Sequence, residues 1–109
     1  MTTEPSANEA NPFTVHIDQN LAEIVPTFLD NRHRDVHTLK TSLEQNDLKT
    51  IRVIGHRMKG DGGGYGFDAI SEIGAALEEA AAREERDAIQ RHTAELADFL
   101  ARVTVVYQR

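Results

Sequence analysis

The chain has 109 residues, 39% of them hydrophobic and 28% charged, which suits one domain with a modest core. It has no cysteine, so neither a disulfide framework nor a thiolate metal site can form, and no apolar run approaches the roughly 18 residues of a membrane span. The net charge is −6, unevenly spread: from Asp30 to Gly60 seven Lys and Arg stand against four Asp and Glu, leaving −9 for the rest. That distribution is a poor fit to general nucleic-acid binding, yet it offers a local positive face to an acidic partner.

Residues 1–12 read as a disordered leader rich in Thr, Ser, Asn, Glu and Pro. The stretch from Met1 to Asn11 lacks the apolar core of a secretory signal, so a cytoplasmic location is expected. Residues 13–109 read as one helical domain. Asn20 with Glu23 fits a capping box, and Asp18 is a second N-cap candidate. Leu21, Ile24, Val25, Phe28 and Leu29, then Val36, Leu39 and Leu43, recur at helical spacing. Pro26 interrupts that run; the preferred reading is a short extra N-terminal helix ending near Val25, with Pro26 opening the next helix. Asn46 and Asp47 mark a turn. The next helix carries Leu48, Ile51, Ile54, Gly55 and Met58 on one face and should weaken or end among Gly60, Gly62, Gly63, Gly64 and Gly66, since each interior glycine costs about 1 kcal/mol relative to alanine. A third helix, from about Asp68 to Arg83, has the inner stripe Ile70, Ile73, Gly74, Leu77 and Ala81. A fourth starts near Glu85 and bears Ile89, Leu96, Phe99, Leu100, Val103 and Val106. No strand is expected; Thr104 to Tyr107 is β-branched but continues the helical stripe. Short connections favour an all-α, antiparallel, up-down-up-down four-helix bundle.

Chemistry concentrates at His56. At about 100° per residue it lies well off the stripe of its helix and should face solvent. Its same-face neighbours are Arg52, Val53, Lys59 and Gly60. Cations one turn away favour a neutral, nucleophilic imidazole and would compensate an arriving phosphoryl charge. Gly60 removes a steric obstacle, so a partner's backbone can come close. From composition alone, a surface histidine between an arginine and a lysine can equally carry no function.

Other candidates are weaker. The glycine run matches neither G-x-G-x-x-G nor a P-loop, because Lys59 precedes it and no strand leads in; Gly66 reads as a turn residue, and Gly62 to Gly64 as room for close helix packing. His33 and His37 have i, i+4 metal-ligand spacing but no obvious third ligand beyond Asp30, so no metal site is assigned. His92 reads as a boundary histidine, and His16 carries little information. Glu78 and Glu79 read as a solvated helix edge, and Glu84, Glu85 and Asp87 as a loop and helix start. No Ser-His-Asp or Cys-His arrangement can be argued.

The run from Ile54 to Gly66, I-G-H-R-M-K-G-D-G-G-G-Y-G, resembles the signature of histidine-containing phosphotransfer (HPt) domains. Gly55 fills the small position, His56 the phospho-acceptor, Met58 the buried apolar position, Lys59 and Gly60 the Lys-Gly pair, and Gly66 the closing glycine. The later run Leu77 to Ala81 resembles the end of the family's next helix, and the likeness spans about Leu21 to Val106. Asp61 departs from the pattern, standing where the family usually has a small neutral residue.

The resemblance implies a carrier without kinase activity of its own, accepting a phosphoryl group on the distal nitrogen of His56 from a receiver-domain aspartate and passing it to another. Lys59 would stabilise the phosphoryl group; Arg52, Val53, Arg57, Gly60 and Gly63 would meet the partner; Gly66 would be structural. The chain would bind no cofactor, the Mg²⁺ belonging to the receiver domain of a response regulator or hybrid histidine kinase. Met1 and the compact length fit a free-standing protein. Two other readings stay open: the phospho-acceptor domain of a chemotaxis-type kinase, which shares the signature, and a helical adaptor without phosphoryl chemistry.

Overall fold

A computed structural model describes residues 13–109; the leader expected over residues 1–12 lies outside the described residues. The elements run β1 (Thr14–Asp18), a 3₁₀ turn (Gln19–Leu21), α1 (Val25–Glu44), α2 (Leu48–Gly64), α3 (Asp68–Ala82), α4 (Arg86–Arg102) and β2 (Thr104–Gln108). Four helices form a bundle. Its core is made by the expected stripes: Val25, Phe28, Val36 and Leu39 of α1, Ile51, Ile54 and Met58 of α2, Ile70, Ile73 and Leu77 of α3, and Ile89, Leu96, Phe99 and Leu100 of α4 are all buried. No helix among the described residues is long and apolar enough to cross a membrane.

The three helix connections share one device. Asn46, Gly66 and Glu84 each adopt positive φ, at 56°, 89° and 58°. The next amide donates to the carbonyl five residues back: Asp47 to Ser42 at 2.7 Å, Phe67 to Gly62 at 2.7 Å and Glu85 to Ala80 at 2.9 Å. These bonds satisfy helix-end carbonyls that would otherwise lack partners. Glycine is required at the middle turn, where a Cβ on Gly66 would also lie 2.7 Å from Ile17 Cδ1. The glycine run thus ends α2 where the sequence suggested.

Two expectations at the chain ends are corrected. First, an additional α-helix before Pro26 is not formed. A single 3₁₀ turn stands there, capped by the Asp18 carboxylate, which accepts from the Asn20 amide at 2.8 Å; Asn20 lies inside the turn, so the Asn20–Glu23 capping box does not exist. Pro26 does sit in the first turn of α1, where its missing N–H costs nothing. Ile24 immediately precedes α1 and is 45% exposed instead of joining the apolar stripe. Second, the four helices are as expected, but a two-stranded ribbon stands where no strand was expected. α4 ends at Arg102, Val103 turns extended, and Thr104–Gln108 pairs in parallel with Thr14–Asp18, in register from Thr14↔Thr104 to Asp18↔Gln108. Val106 therefore belongs to a strand and is exposed. The reason is the run Val103, Thr104, Val105, Val106, whose branched side chains favour an extended backbone once a partner strand is available. Ile17 anchors this ribbon in the core, and Phe13 packs edge-on against Phe99 with ring centroids 5.5 Å apart.

The closest contact in the bundle is between α2 and α3, and it is made by backbone. A Cβ on Gly55 would lie 2.7 Å from the Glu78 amide nitrogen and 2.8 Å from the Gly74 carbonyl oxygen; one on Gly74 would lie 2.6 Å from the Lys59 amide nitrogen; one on Gly62 would lie 2.5 Å from the Ser71 amide nitrogen. Gly60, Gly63 and Gly64 have no such neighbour: a Cβ meets nothing within 4 Å at Gly60 and Gly64, and only Ser71 Oγ at 4.0 Å at Gly63. Of Gly62 to Gly64, then, only Gly62 serves helix packing. Gly74→Ala is expected to lower stability by about 1–3 kcal/mol through overpacking, whereas Gly63→Ala should raise it by up to about 1 kcal/mol through helix propensity. Urea unfolding midpoints of the two variants against the parent measure both.

Candidate functional site

α2 buries Ile51, Ile54, Gly55, Met58 and Gly62 along one side. Opposite that side run Lys49, Val53, His56, Gly60, Gly63 and Gly64, all exposed, with Arg52 and Lys59 on the edge nearer α3 and Arg57 on the edge nearer α1. The His56 side chain is 70% exposed. Val53, 53% exposed, supplies an apolar spot one turn before it. The ridge beyond His56 is bare backbone at Gly60, Gly63 and Gly64. Asp61 is half-buried and lies on the α1 side, away from the imidazole. The candidates Arg52, Val53, His56, Lys59, Gly60 and Gly63 thus share one exposed surface of α2, while Gly66 lies in the turn below it.

Arg57 faces a different environment from the others. Its charge acts on Asp35, a buried α1 carboxylate ion-paired to Arg32 with Nε and Oδ2 2.9 Å apart. Burial pushes the Asp35 carboxyl above its ordinary range, and Arg32 and Arg57 oppose that rise. The Arg32 guanidinium lies 4.7 Å from the Phe28 ring centroid.

The residue that sequence reasoning missed is Glu78. It does not belong to a solvated helix edge: it reaches from α3 to α2 and joins the two residues that carry the motif. Its Oε2 lies 2.9 Å from His56 Nδ1 and its Oε1 lies 2.8 Å from Lys59 Nζ. Only 23% of its side chain is exposed. The close approach of α2 and α3 at Gly55 and Gly74 makes this reach possible; the Glu78 amide itself sits against Gly55. A signal existed in the sequence: Gly74 and Glu78 are one turn apart on the inner edge of α3, and a glycine inside a good helix-forming run asks for a close neighbour. Glu79, by contrast, is the solvated edge expected, paired to Arg83 at 2.7 Å in solvent. The Ser71 hydroxyl donates to the Lys59 carbonyl, a second tie between the helices.

This geometry fixes what the imidazole can do. A carboxylate beside Nδ1 can only accept a hydrogen bond there, so a neutral ring paired with Glu78 has its hydrogen on Nδ1 and its lone pair on Nε2. The cations around His56 are not unopposed, as the sequence suggested: Glu78 neutralises Lys59 in the resting site. The hydrogen bonds from Lys59 and then from His56 hold the Glu78 carboxyl below its ordinary value of 4.5.

Of the other histidines, His33 and His37 are exposed on α1, His16 is exposed on β1, and His92 is a boundary residue with Nδ1 2.9 Å from Glu95 Oε1.

The described residues form a four-helix bundle with His56 exposed on α2 and Lys59-Gly60 one turn further on. The Hpt domain family matches residues 23–104, and the chain belongs to that family. Hpt domains act in histidine phosphotransfer within two-component phosphorelays, as carriers and not as kinases. No curated protein and no solved structure matches the chain.

Because the Glu78 carboxyl titrates lower in the folded protein than unfolded, its strap stabilises the fold above its ordinary value and is lost as pH falls through the lowered one. The stability difference between the parent and Glu78→Gln should therefore be present at pH 7 and shrink towards zero as acidification below the ordinary value protonates the carboxyl. Urea midpoints taken across that range check it.

Proposed function

We propose that this protein carries a phosphoryl group on His56 Nε2 between the aspartates of receiver domains. The observation that carries the reading is the environment of His56: 70% exposed, hydrogen-bonded through Nδ1 to Glu78, and one turn from Lys59. Nε2 is the free nucleophilic atom. It faces a surface on which a partner's backbone meets no side chain at Gly60, Gly63 or Gly64. Lys59, 46% exposed and one turn from His56, stabilises the phosphoryl group. Arg52, Val53, Gly60 and Gly63 form the docking surface, with Arg57 at its α1 edge and the cations complementary to a carboxylate-rich receiver site. The three-residue connections set successive helices as antiparallel neighbours, which keeps α2 rigid beneath its nucleophile. The chain binds no cofactor itself; Mg²⁺ belongs to the receiver. It acts in the cytoplasm, with residues 13–109 as the working domain behind a leader of twelve residues.

Incubation with phosphorylated receiver domains, followed by detection of acid-labile phosphate, tests the reading. His56→Gln should abolish acceptance with helical content intact; transfer at the parental rate in this variant would refute it. Phosphorylation by a kinase catalytic domain and by no receiver would select the kinase-fed alternative instead. Lys59→Ala should slow single-turnover transfer more than it affects folding, because a half-exposed ion pair contributes little to stability, and by less than the loss at His56→Gln.

Gly60 gives the sharper test of docking. Nothing lies within 4 Å of where its Cβ would be, so bulk there meets only a partner. Gly60→Glu should block transfer by size and by repulsion of receiver carboxylates, with thermal stability unchanged or slightly raised. Receiver binding and melting temperature, measured on the same variant, separate docking from folding.

A further inference from the structure

A second surface of the bundle has its own chemistry, on the opposite side of α3 from His56. α3 turns Gly74 and Glu78 towards α2. Its other side carries Ala69, Ile73 and Ala76, which line a groove of about 270 Å³ shared with α4. Ile73 and Phe99 are buried at its floor, and Phe13 closes one end, edge-on to Phe99. The groove is open because α3 places alanine along it: Ala69 and Ala76 stand two turns apart, about 10 Å along the axis, and neither methyl group can fill the space beside α4. The rim is acidic. Glu72 of α3 and Glu95 and Asp98 of α4 are exposed there, and no Lys or Arg lines the groove. Glu95 meets His92 at 2.9 Å, and Asp98 reaches Arg102 at 3.4 Å in solvent. The surroundings have the same sign, since from Asp68 to Arg102 nine Asp and Glu stand against four Arg.

We propose that the groove between α3 and α4 seats a basic amphipathic helix of a partner protein. The groove is smaller than the roughly 300–1,000 Å³ of pockets that enclose small molecules. Two parallel walls of helix with an apolar floor suit the side chains that a docked helix projects at i, i+3, i+4 and i+7. The rim sets the sign of the occupant: Lys and Arg beside those apolar residues meet Glu72, Glu95 and Asp98. The same rule argues against the chain's own residues 1–12, which join the domain at Phe13 but carry Glu4 and Glu9 and no Lys or Arg. A second copy would offer its cationic α2 ridge. That contact is head-to-tail, so it does not close on itself as a two-fold pair does and would propagate into open chains. An occupant of the groove leaves the exposed ridge of α2 free, because α3 lies between them. The inference goes beyond phosphoryl carriage and stands whether or not His56 is the acceptor.

The test titrates the whole chain with a synthetic peptide of about 18 residues, long enough to hold a helix, with Leu at i, i+3, i+4 and i+7 and Arg on both flanks. Binding is followed by amide shifts in ¹H–¹⁵N NMR at about 0.1 M salt, where distant charges are screened. Shifts should fall on residues 69–76 and 92–99 and leave Val53 to Gly60 unmoved. A second peptide with Glu in place of Arg should bind roughly tenfold more weakly or less. The double variant Glu72→Lys, Glu95→Lys should lose about tenfold in affinity for the Arg peptide. Ala76→Gln fills the groove without changing its charge and should lose about as much; Ala69→Gln replaces it should that variant not fold. Melting temperatures confirm the fold of each. Parental affinity in the variant with a filled groove would reduce the binding to diffuse charge attraction and overturn the inference, as would shifts centred elsewhere or equal binding of the two peptides. Tenfold tighter binding on removal of residues 1–12 would make that segment the occupant instead. Self-association by sedimentation, lost in the charge-reversed variant, would make it a second copy.

Discussion

The structure depends on one contact, the backbone-to-backbone approach of α2 and α3. Gly55 and Gly62 on one helix and Gly74 on the other leave no room for a methyl group, and hydrogen-bond donors and acceptors of each backbone lie where a Cβ would be. The glycines weaken both helices on propensity grounds, and the loss is offset by the dense packing they permit. Everything at His56 follows from that spacing. A glutamate side chain reaches across only because the helices are this close, and the same carboxylate then pairs with the imidazole Nδ1 and with the lysine of the motif. With helices at the separation that larger side chains impose, Glu78 would extend into water and His56 would stand alone.

The glycines of α2 therefore serve two purposes on two faces of one helix. Gly55 and Gly62 face inward and are demanded by α3. Gly60, Gly63 and Gly64 face outward, where any side chain would fit, and the fold gains nothing from their being glycine. Beside His56 these positions leave the exposed ridge of α2 as bare backbone. Gly66 answers to a third demand, the left-handed conformation of the turn and the Ile17 side chain above it.

Charge is likewise divided by face. The cations of α2 look outward, while the acids are drawn into pairs: Glu78 with Lys59 and His56, Asp35 with Arg32 under the influence of Arg57, Glu79 with Arg83. The Arg32–Asp35 pair is nearly enclosed, so removing either partner alone would strand a charge in the interior.

The sequence by itself determined the four helices and the exposed position of His56. Period-3.6 stripes at Ile51, Ile54 and Met58, at Ile70, Ile73 and Leu77, and at Ile89, Leu96 and Phe99 state which face of each helix is buried, because a helical face is a local property of spacing. The turns at Asn46 and Gly66 and the exposure of His56 follow from the same local rules. Three things needed the tertiary structure. The strands Thr14–Asp18 and Thr104–Gln108 stabilise one another across 90 residues of sequence, and neither carries a signal that outweighs continuation of a helix until its partner is beside it. The division of the glycines into inward and outward sets depends on which atoms of α3 lie opposite each one. The role of Glu78 depends on an interhelical distance, and distances between elements are fixed by packing, which spacing along one chain does not encode.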